Sequence, residues 1–364
     1  MPAFQGRQLE FLRLMTQANI VGSLLGTAIG DALGLPCEGL SRQRAMRMLG
    51  SPDRHRFLLR RGMFSDDTEH TCMVAQALIA SNFDLDNFTT DFAGRLRWWL
   101  VACPGGIGFA TLRACLKLWF GYSPKFSGVY SAGNGPAMRS AIFGAIFEDV
   151  ETMVAFVRAS TRVTHSDPKA EFGAIAIALA AFCAKQRTAI DGQRFVDQLA
   201  DIIGSDGNEL ICLLRNVIES VAANQTTLDF AAANGHQRGV TGYVYSTVPV
   251  AIHAWLTNPC DYRAAVMSVI ECGGDTDTTA AIVGGIVGVV TGEASIPEDW
   301  KSGICDWPRS VNWLRRLGIE LHDSFNADTN EKPLSLNFSL VLVRNLLFAM
   351  IVLAHGFRRM LPPY

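Results

Sequence analysis

Residues 273–288 read GGDTDTTAAIVGGIVG, and this stretch decides the fold more than any other part of the chain. Two glycines before an Asp-x-Asp-Thr and a long apolar run predict a tight turn that opens a buried helix. Side chains two positions apart on a helix diverge, so Asp275 and Asp277 can converge only if Asp275 lies in the turn. N-capping alone needs one such side chain, so this density of Asp and Thr indicates a metal site.

A second acidic turn, SDDTE at residues 65–69, precedes another apolar run. Asp66 and Asp67 would diverge inside a helix, so we expect them at a helix N-terminus with the Ser65 hydroxyl in front. Ligand sets made only of oxygen favour Mg²⁺ or Mn²⁺ over zinc, and four carboxylates balance two divalent cations. The sequence therefore predicts a two-metal site whose ligands are Ser65, Asp66, Asp67, Asp275, Asp277 and Thr278.

Composition sets the outer bounds on function. The chain has 364 residues, of which 49% are hydrophobic and 18% charged, enough to build a large core. Its net charge of −2 gives no basic footprint, so no nucleic-acid partner is expected. The nine cysteines are scattered without a C-x-x-C pair, and the first residues lack the uninterrupted apolar core of a signal peptide. We therefore expect free thiols and a cytoplasmic protein.

Small residues spaced four apart indicate how the helices pack. They recur at Gly22, Gly26, Gly30 and Gly34, and again at Ala280, Gly284, Gly288 and Gly292. This spacing lines them along one helical face and lets a neighbouring backbone come close. Few stretches alternate with a period of two, so we predict an all-α fold. No repeat and no long linker divides residues 1–364, which we assign to a single domain.

The apolar segment 334–361 is the strongest candidate for a membrane span, but Arg344 and Asn345 stand near its middle, where a bilayer would make them costly. We expect a buried or interface helix and no membrane span. The basic segment 51–61 is expected at the surface.

Three further stretches have two interpretations on their residues alone. The sequence SAGNG at 131–135 precedes a helix and could turn backbone N–H groups towards a phosphate, although it could also be a plain turn. Glu38 follows the first helix and could be an ordinary solvated acid. His165 lies in a polar loop and could be a simple hydrogen-bond donor.

Taken together and in order, these motifs resemble the ADP-ribosylglycohydrolase family. The resemblance covers residues 20–295 and leaves a C-terminal helical extension, 296–364, unexplained. It implies a compact orthogonal multi-helix bundle with two magnesium or manganese ions at the two acidic motifs. Family members usually carry Thr at the position of Ser65, and Ser65 retains the hydroxyl oxygen.

The resemblance also implies an activity: metal-dependent hydrolysis of the glycosidic bond at ribose C1″ of ADP-ribosylated protein side chains or a small ADP-ribosyl conjugate. Glu38 or Asp67 would help to deprotonate the attacking water. Gly106 stands where members acting on ADP-ribosyl-arginine often carry an acid, which disfavours an arginine-linked substrate. The substrate-binding residues implied are Ser131, Gly133, Asn134, Gly135, His165 and Tyr243.

Other functions fit less of the sequence. Phosphatases of the haloacid dehalogenase type also use Asp-x-Asp-x-Thr, but after a strand near the start of the chain, and residues 66–67 would then have no role. A non-catalytic reader of ADP-ribose would need the pocket without turnover. A structural relative would be expected to lose acidic ligands, and this chain retains each of them.

Overall fold

The computed structural model describes residues 2–186, 191–326 and 332–362, with side chains described from residue 16 onwards. The described chain is almost entirely helical, which confirms the all-α prediction. The helices are α1 Pro2–Gly34, α2 Arg42–Leu49, α3 Asp66–Ala80, α4 Leu85–Val101, α5 Phe109–Trp119, α6 Gly135–Met138, α7 Ala141–Ile146, α8 Val150–Thr164, α9 Pro168–Lys185, α10 Gly192–Ile203, α11 Asn208–Ala222, α12 Thr227–Ala233, α13 Val244–Thr257, α14 Tyr262–Ile270, α15 Thr276–Thr291, α16 Glu298–Ser302, α17 Val311–Asn326 and α18 Phe338–Arg359.

Helices α1 and α15 pack antiparallel along their small-residue faces at the centre of the protein. A Cβ atom added to Gly26 would lie 2.1 Å from the Gly284 carbonyl oxygen, and one added to Gly22 would lie equally close to that of Gly288. The backbones therefore touch without intervening side chains, as the spacing of four predicted. We call this contact between the two helices the α1–α15 seam. It ends where the Thr276 hydroxyl donates to the Gly34 carbonyl at 2.8 Å, which brings the end of α1 to the start of α15.

Short backbone pairings tie three loops together at that end of the seam. The strands β1, Leu40–Ser41, and β2, Gly273–Gly274, pair antiparallel. Val240 from a third loop pairs with Gly274 in a parallel bridge. Gly274 has a φ of +83°, and a Cβ atom there would lie 2.0 Å from the Val240 carbonyl oxygen, so only glycine fits. The turn before α15 is thus fixed by its backbone.

The basic segment 51–61 is not wholly at the surface as expected. His55 is buried, and its Nε2 atom lies 2.7 Å from the Trp300 carbonyl oxygen. The segment therefore packs on α16 through this side chain, and the prediction is wrong at this position.

Among the described residues, two helices are long and apolar enough to cross a membrane, judged by length and composition alone. The apolar 18-residue window within residues 16–37 is completely buried within the protein, so this segment is part of a core helix. Only 22% of the corresponding window of α18 is buried. Arg344 and Asn345 of α18 face the protein body, where both are buried.

Candidate active site

The two acidic turns meet at one end of the α1–α15 seam. Ser65 caps α3, where its Oγ accepts a hydrogen bond from the Asp67 N–H at 3.3 Å. Asp275 lies just before α15, and Asp277 and Thr278 lie in its first turn. The Thr278 hydroxyl donates to Oδ2 of Asp67 at 3.3 Å. Two turns that are far apart in sequence therefore share a direct contact.

A cavity of about 600 Å³ opens in front of these turns. Ten of the residues singled out from sequence line it: Glu38, Asp66, Ser131, Gly133, Asn134, Gly135, His165, Asp275, Asp277 and Thr278. Ser65 and Asp67 are buried in contact with each other, and Asp67 contacts the lining residue Thr278. Tyr243 follows the lining residue Gly242 and is partly exposed. The structure thus brings all of the predicted site residues to one cavity or its immediate border.

Carboxylates crowd this cavity without basic side chains to balance them. Burial raises the pKa of Asp66, Asp67 and Asp277 well above the usual value, and neighbouring carboxylates raise these pKa values further. Within the described residues, no Lys, Arg or His lies within salt-bridge distance of these three or of Asp275. These carboxylates therefore have no direct ion-pair partner among the described residues.

The donor chemistry fits a hard divalent cation. The Oδ1 atoms of Asp67 and Asp277 are buried and have no hydrogen-bond partner among the described residues. No three Asp, Glu, His or Cys side chains converge on a metal-binding geometry by themselves in that part of the chain. Hydroxyl oxygens are available beside these carboxylates, since Ser65 and Thr278 lie within hydrogen-bond distance of Asp67, and hard cations accept such oxygen ligands.

Asp31 positions the first acidic turn, a role that the sequence reasoning missed. It is fully buried, and its Oδ2 accepts hydrogen bonds from the backbone N–H groups of Ser65 at 2.9 Å and Thr68 at 3.2 Å. Burial raises the pKa of Asp31 to about 6, while these bonds and one from the Thr68 hydroxyl lower it. Asp31 thus fixes the first acidic turn from behind. An acid within the glycine-rich apolar helix α1 was the signal that could have found it.

Asn134 connects the SAGNG loop to the second acidic turn. Its Nδ2 donates to Oδ2 of Asp275 at 2.6 Å and to the Thr247 hydroxyl at 2.9 Å. Its backbone N–H donates to the Gly242 carbonyl at 3.0 Å. The loop is therefore positioned by the carboxylate side of the cavity.

His165 lies directly under this loop. Cβ atoms added to Gly133 and Gly135 would lie 3.2 Å from its Nε2 and 3.1 Å from its Cε1. Burial and, to a smaller extent, the nearby Arg139 guanidinium lower the pKa of His165 to about 3. The ring is therefore neutral and supports the loop without adding charge.

Comparison with known proteins identifies the fold and the class of enzyme. The family model described as ADP-ribosylglycohydrolase matches residues 13–331. The chain belongs to the ADP-ribosylglycohydrolase family. It is therefore a glycohydrolase of ADP-ribosyl glycosidic bonds, as the sequence predicted.

Two relatives and one solved structure illustrate the match. The ADP-ribosylhydrolase ARH3 of Xenopus tropicalis is 27% identical, over 81% of this chain and 93% of that protein. The ADP-ribosylarginine hydrolase Tri1 of Pseudomonas putida is also 27% identical, over 83% of this chain and 77% of that protein. A structure titled ADP-ribosylglycohydrolase-related protein complex has a TM-score of 0.59 at 23% identity, covering 85% of this chain and 99% of that chain, and supports the fold alone.

Within this ADP-ribosylglycohydrolase, Tyr243 is held at the edge of the cavity by charged neighbours. Lys169 donates to its hydroxyl at 3.1 Å and also pairs with Glu209 at 2.6 Å. Tyr243 additionally pairs with Gly133 in an antiparallel bridge. Its ring is thus fixed beside the SAGNG loop.

Helix α18 lies outside the matched family region, yet it supports the first acidic turn. Nη2 of Arg344 donates to the Phe64 carbonyl at 2.5 Å, and Oδ2 of Asp306 accepts from the Phe64 N–H at 2.8 Å. Arg344 and Asp306 are themselves paired and almost fully buried. The residue before Ser65 is therefore held through both of its backbone polar groups.

The far end of α18 adjoins the Glu38 loop. Arg359 donates to the Pro36 carbonyl at 3.1 Å. Glu38 is exposed at the cavity, where partial desolvation of its carboxyl and the nearby Asp275 raise its pKa, whereas Arg359 lowers it. Sequence reasoning left residues 296–364 without a role because the contacts that give them one are all long-range.

Proposed function

We propose that this ADP-ribosyl glycohydrolase is metal-dependent, with Mg²⁺ or Mn²⁺ ions held between the two acidic turns. The observation that carries the proposal is the Thr278–Asp67 contact, which joins the turns at 3.3 Å. The buried Oδ1 atoms of Asp67 and Asp277, without partners among the described residues, support it. The proposed ligands are Ser65, Asp66, Asp67, Asp275, Asp277 and Thr278.

Cleavage at ribose C1″ requires a deprotonated water and stabilisation of the positive charge that develops on the sugar. Bound divalent cations would supply a lowered water pKa and orient the ribose hydroxyls. Glu38 lines the cavity, and its raised pKa suits a carboxylate that takes up a proton from that water. Asp67 is the second candidate, because Ser65 and Thr278 orient its Oδ2.

The SAGNG loop is the proposed binding site for the diphosphate and the attached ribose. The lack of side chains at Gly133 and Gly135 lets the His165 ring pack against the loop, and Asn134 fixes the loop relative to Asp275. His165 supports the loop, and we propose that Tyr243 contacts the adenosine end of the substrate.

We propose that the ADP-ribose of the substrate is attached to an oxygen atom or an acyl group rather than to arginine. Gly106 has a φ of +85°, and a Cβ atom there would lie 2.9 Å from Oδ1 of Asp66. An acidic side chain at this position would be strained and would crowd a carboxylate. The relative from Pseudomonas putida is named for arginine, so an arginine-linked substrate belongs in the test.

The direct experiment follows free ADP-ribose after incubation with serine-, acyl- and arginine-linked ADP-ribosyl substrates. We expect release from the serine- or acyl-linked substrate with Mg²⁺ or Mn²⁺ and none after EDTA treatment. Full turnover in EDTA would contradict metal dependence. Binding of ADP-ribose without release from any substrate would favour a reader. Release from the arginine-linked substrate alone would overturn the linkage proposal but not the metal proposal.

Glu38→Gln tests the proton acceptor. It should lower kcat by roughly 10²- to 10⁴-fold, because only the carboxylate can accept the proton, while KM and metal affinity stay close to wild type. The matched control is Glu219→Gln on α11. An unchanged kcat in Glu38→Gln would transfer the role to Asp67.

A further inference from the structure

A helix on the surface of an isolated soluble protein turns its apolar face inwards and its polar face to solvent. Helix α18 does the reverse. Its polar residues point inwards: Arg344 pairs with Asp306, and Nδ2 of Asn345 donates to the Ala102 carbonyl at 2.8 Å. At its far end, Nε2 of His355 lies 2.7 Å from the Phe57 carbonyl oxygen. The residues that made a membrane contact costly on sequence grounds are thus all turned towards the protein.

The outward face of α18 is apolar along its length. Within the described helix, no exposed position from 340 to 357 carries a charged side chain. This face is about 25 Å long at the rise of an α-helix, and an isolated soluble protein seldom exposes so long an apolar surface. The side chains with the highest exposed fraction on this face are Leu340, Val343, Leu346, Met350, Leu353 and Phe357.

Arginines surround the C-terminal end of this face. Arg44 of α2 donates to the Arg359 carbonyl, and Phe57 stacks on His355 of α18, so α2 and the turn at 58–61 both adjoin the helix end. Leu59 at the tip of that turn is 90% exposed. Neither α2, nor residues 57–62, nor the last turn of α18 contains an acidic residue, and the one acid that interacts with Arg359 among the described residues is the exposed Glu38. The arginines of these three segments are Arg42, Arg44, Arg47, Arg60, Arg61, Arg358 and Arg359.

Tryptophan borders the other end. Trp98 is 61% exposed and contacts Phe338, the first residue of α18, with ring centroids 6.2 Å apart. Trp119 contacts Trp98 from the other side at 5.9 Å. Indole rings at the edge of an apolar surface are typical of groups that lie at the level of lipid headgroups.

We propose that the outward face of α18 lies flat on a membrane surface that contains anionic lipids. The apolar side chains would enter the headgroup–acyl boundary, and the arginines at the C-terminal end would contact lipid phosphates. Charge complementarity favours this occupant over a second copy of the chain, since the cluster is basic and needs a negative surface. The bonds of Arg344 and Asn345 to the protein body hold the helix on the surface and prevent it from spanning.

The orientation has a consequence for the enzyme. The C-terminal end of α18 adjoins the loop before Glu38 through the Arg359–Pro36 hydrogen bond. A protein docked through this face would therefore work close to the lipid surface. This inference does not depend on the substrate linkage or on the metal.

The test is co-sedimentation of the full-length protein with vesicles of phosphatidylcholine alone and of phosphatidylcholine mixed with phosphatidylglycerol. We expect binding to the mixed vesicles that weakens with added salt, and little binding to phosphatidylcholine alone. Replacing Arg60 or Arg358 by Ala should weaken vesicle binding roughly fivefold each, the effect expected for one basic residue near an anionic surface. Leu346→Glu/Leu353→Glu should abolish it.

The matched control is Leu85→Glu, which places an acid on an exposed Leu at the start of α4, where a helix tolerates it. It should bind vesicles like wild type. All variants should retain hydrolysis of a soluble substrate, which separates lost docking from lost folding. Absence of wild-type binding to mixed vesicles, or equal binding to both lipid compositions, would overturn the proposal. So would a wild-type dimer in light scattering that Leu346→Glu/Leu353→Glu converts to a monomer without either binding lipid.

Discussion

Two buried clusters of charged side chains lie on either side of the turn at residues 64–67, and they differ in balance. Behind the turn, Arg344 pairs with Asp306, and Arg309 pairs with Glu69 at 2.6 Å. In front of it, the carboxylates around the cavity lack basic partners among the described residues. In this rear cluster of two ion pairs each carboxylate is matched by a guanidinium, whereas the carboxylates of the front cluster have no basic group within salt-bridge distance among the described residues.

This difference in charge balance distinguishes buried charges that stabilise the fold from buried charges that are available to bind a ligand. Buried charges that the chain pairs by itself hold a backbone in place, because breaking one pair leaves its partner uncompensated. Buried charges that the chain leaves unpaired raise the free energy of the folded state until a ligand supplies the counter-charge. The rear cluster therefore supports the turn, and the front cluster is the proposed cation site.

Removing one charge from the rear cluster should have the largest effect on stability. Arg344→Met leaves Asp306 buried and unpaired and should lower the free energy of unfolding by about 3–5 kcal/mol. Chemical denaturation measures the change, and Arg358→Met, on the exposed side of the same helix, is the control. Mg²⁺ should not restore the loss. A loss below 1 kcal/mol would mean that the rear cluster does not hold the turn.

His165 sharpens the comparison because it is buried beside the same cavity but neutral. The unfolded chain protonates this histidine below pH 6.5, while the folded protein resists protonation until about pH 3. The free energy of unfolding therefore decreases as the pH is lowered through this window, by roughly 2 kcal/mol between pH 8 and pH 5. His165→Asn should remove that part of the pH dependence. An identical decline in wild type and variant would show that folding does not lower the pKa of His165.

Removing one charge from the front cluster should change the free energy of unfolding least, and should increase it rather than decrease it. Asp277→Asn relieves repulsion between buried carboxylates and should raise the free energy of unfolding of the EDTA-treated protein by about 0.5–2 kcal/mol. It should also abolish hydrolysis. Asp201→Asn, an exposed acid on α10, should change neither property. Destabilisation of the EDTA-treated variant would mean that Asp277 is a structural residue.

Local geometry explains why much of the site could be predicted. The positions of Asp275 and Asp277 relative to the start of α15 follow from helix periodicity, and the α1–α15 seam follows from small residues four apart. These features need only neighbours in sequence. They carry enough information to place both acidic turns at helix N-termini.

The remaining features depend on contacts between distant residues. Asp31 accepts from Ser65 across 34 positions, and Arg344 reaches Phe64 across 280. Hydropathy identifies the segment of α18 as apolar but cannot tell that Arg344 faces inwards and Leu353 outwards. The basic character of residues 51–61 likewise concealed the burial of His55 against the Trp300 carbonyl.

The central claim is that the two acidic turns bind the same cations. Isothermal titration of Mn²⁺ into EDTA-treated protein tests it most directly, with Asp277→Asn and Asp201→Asn measured alongside. We predict two ions bound per chain in wild type and Asp201→Asn, with binding weakened or lost in Asp277→Asn. No binding by wild type, or an unchanged isotherm in Asp277→Asn, would contradict the account.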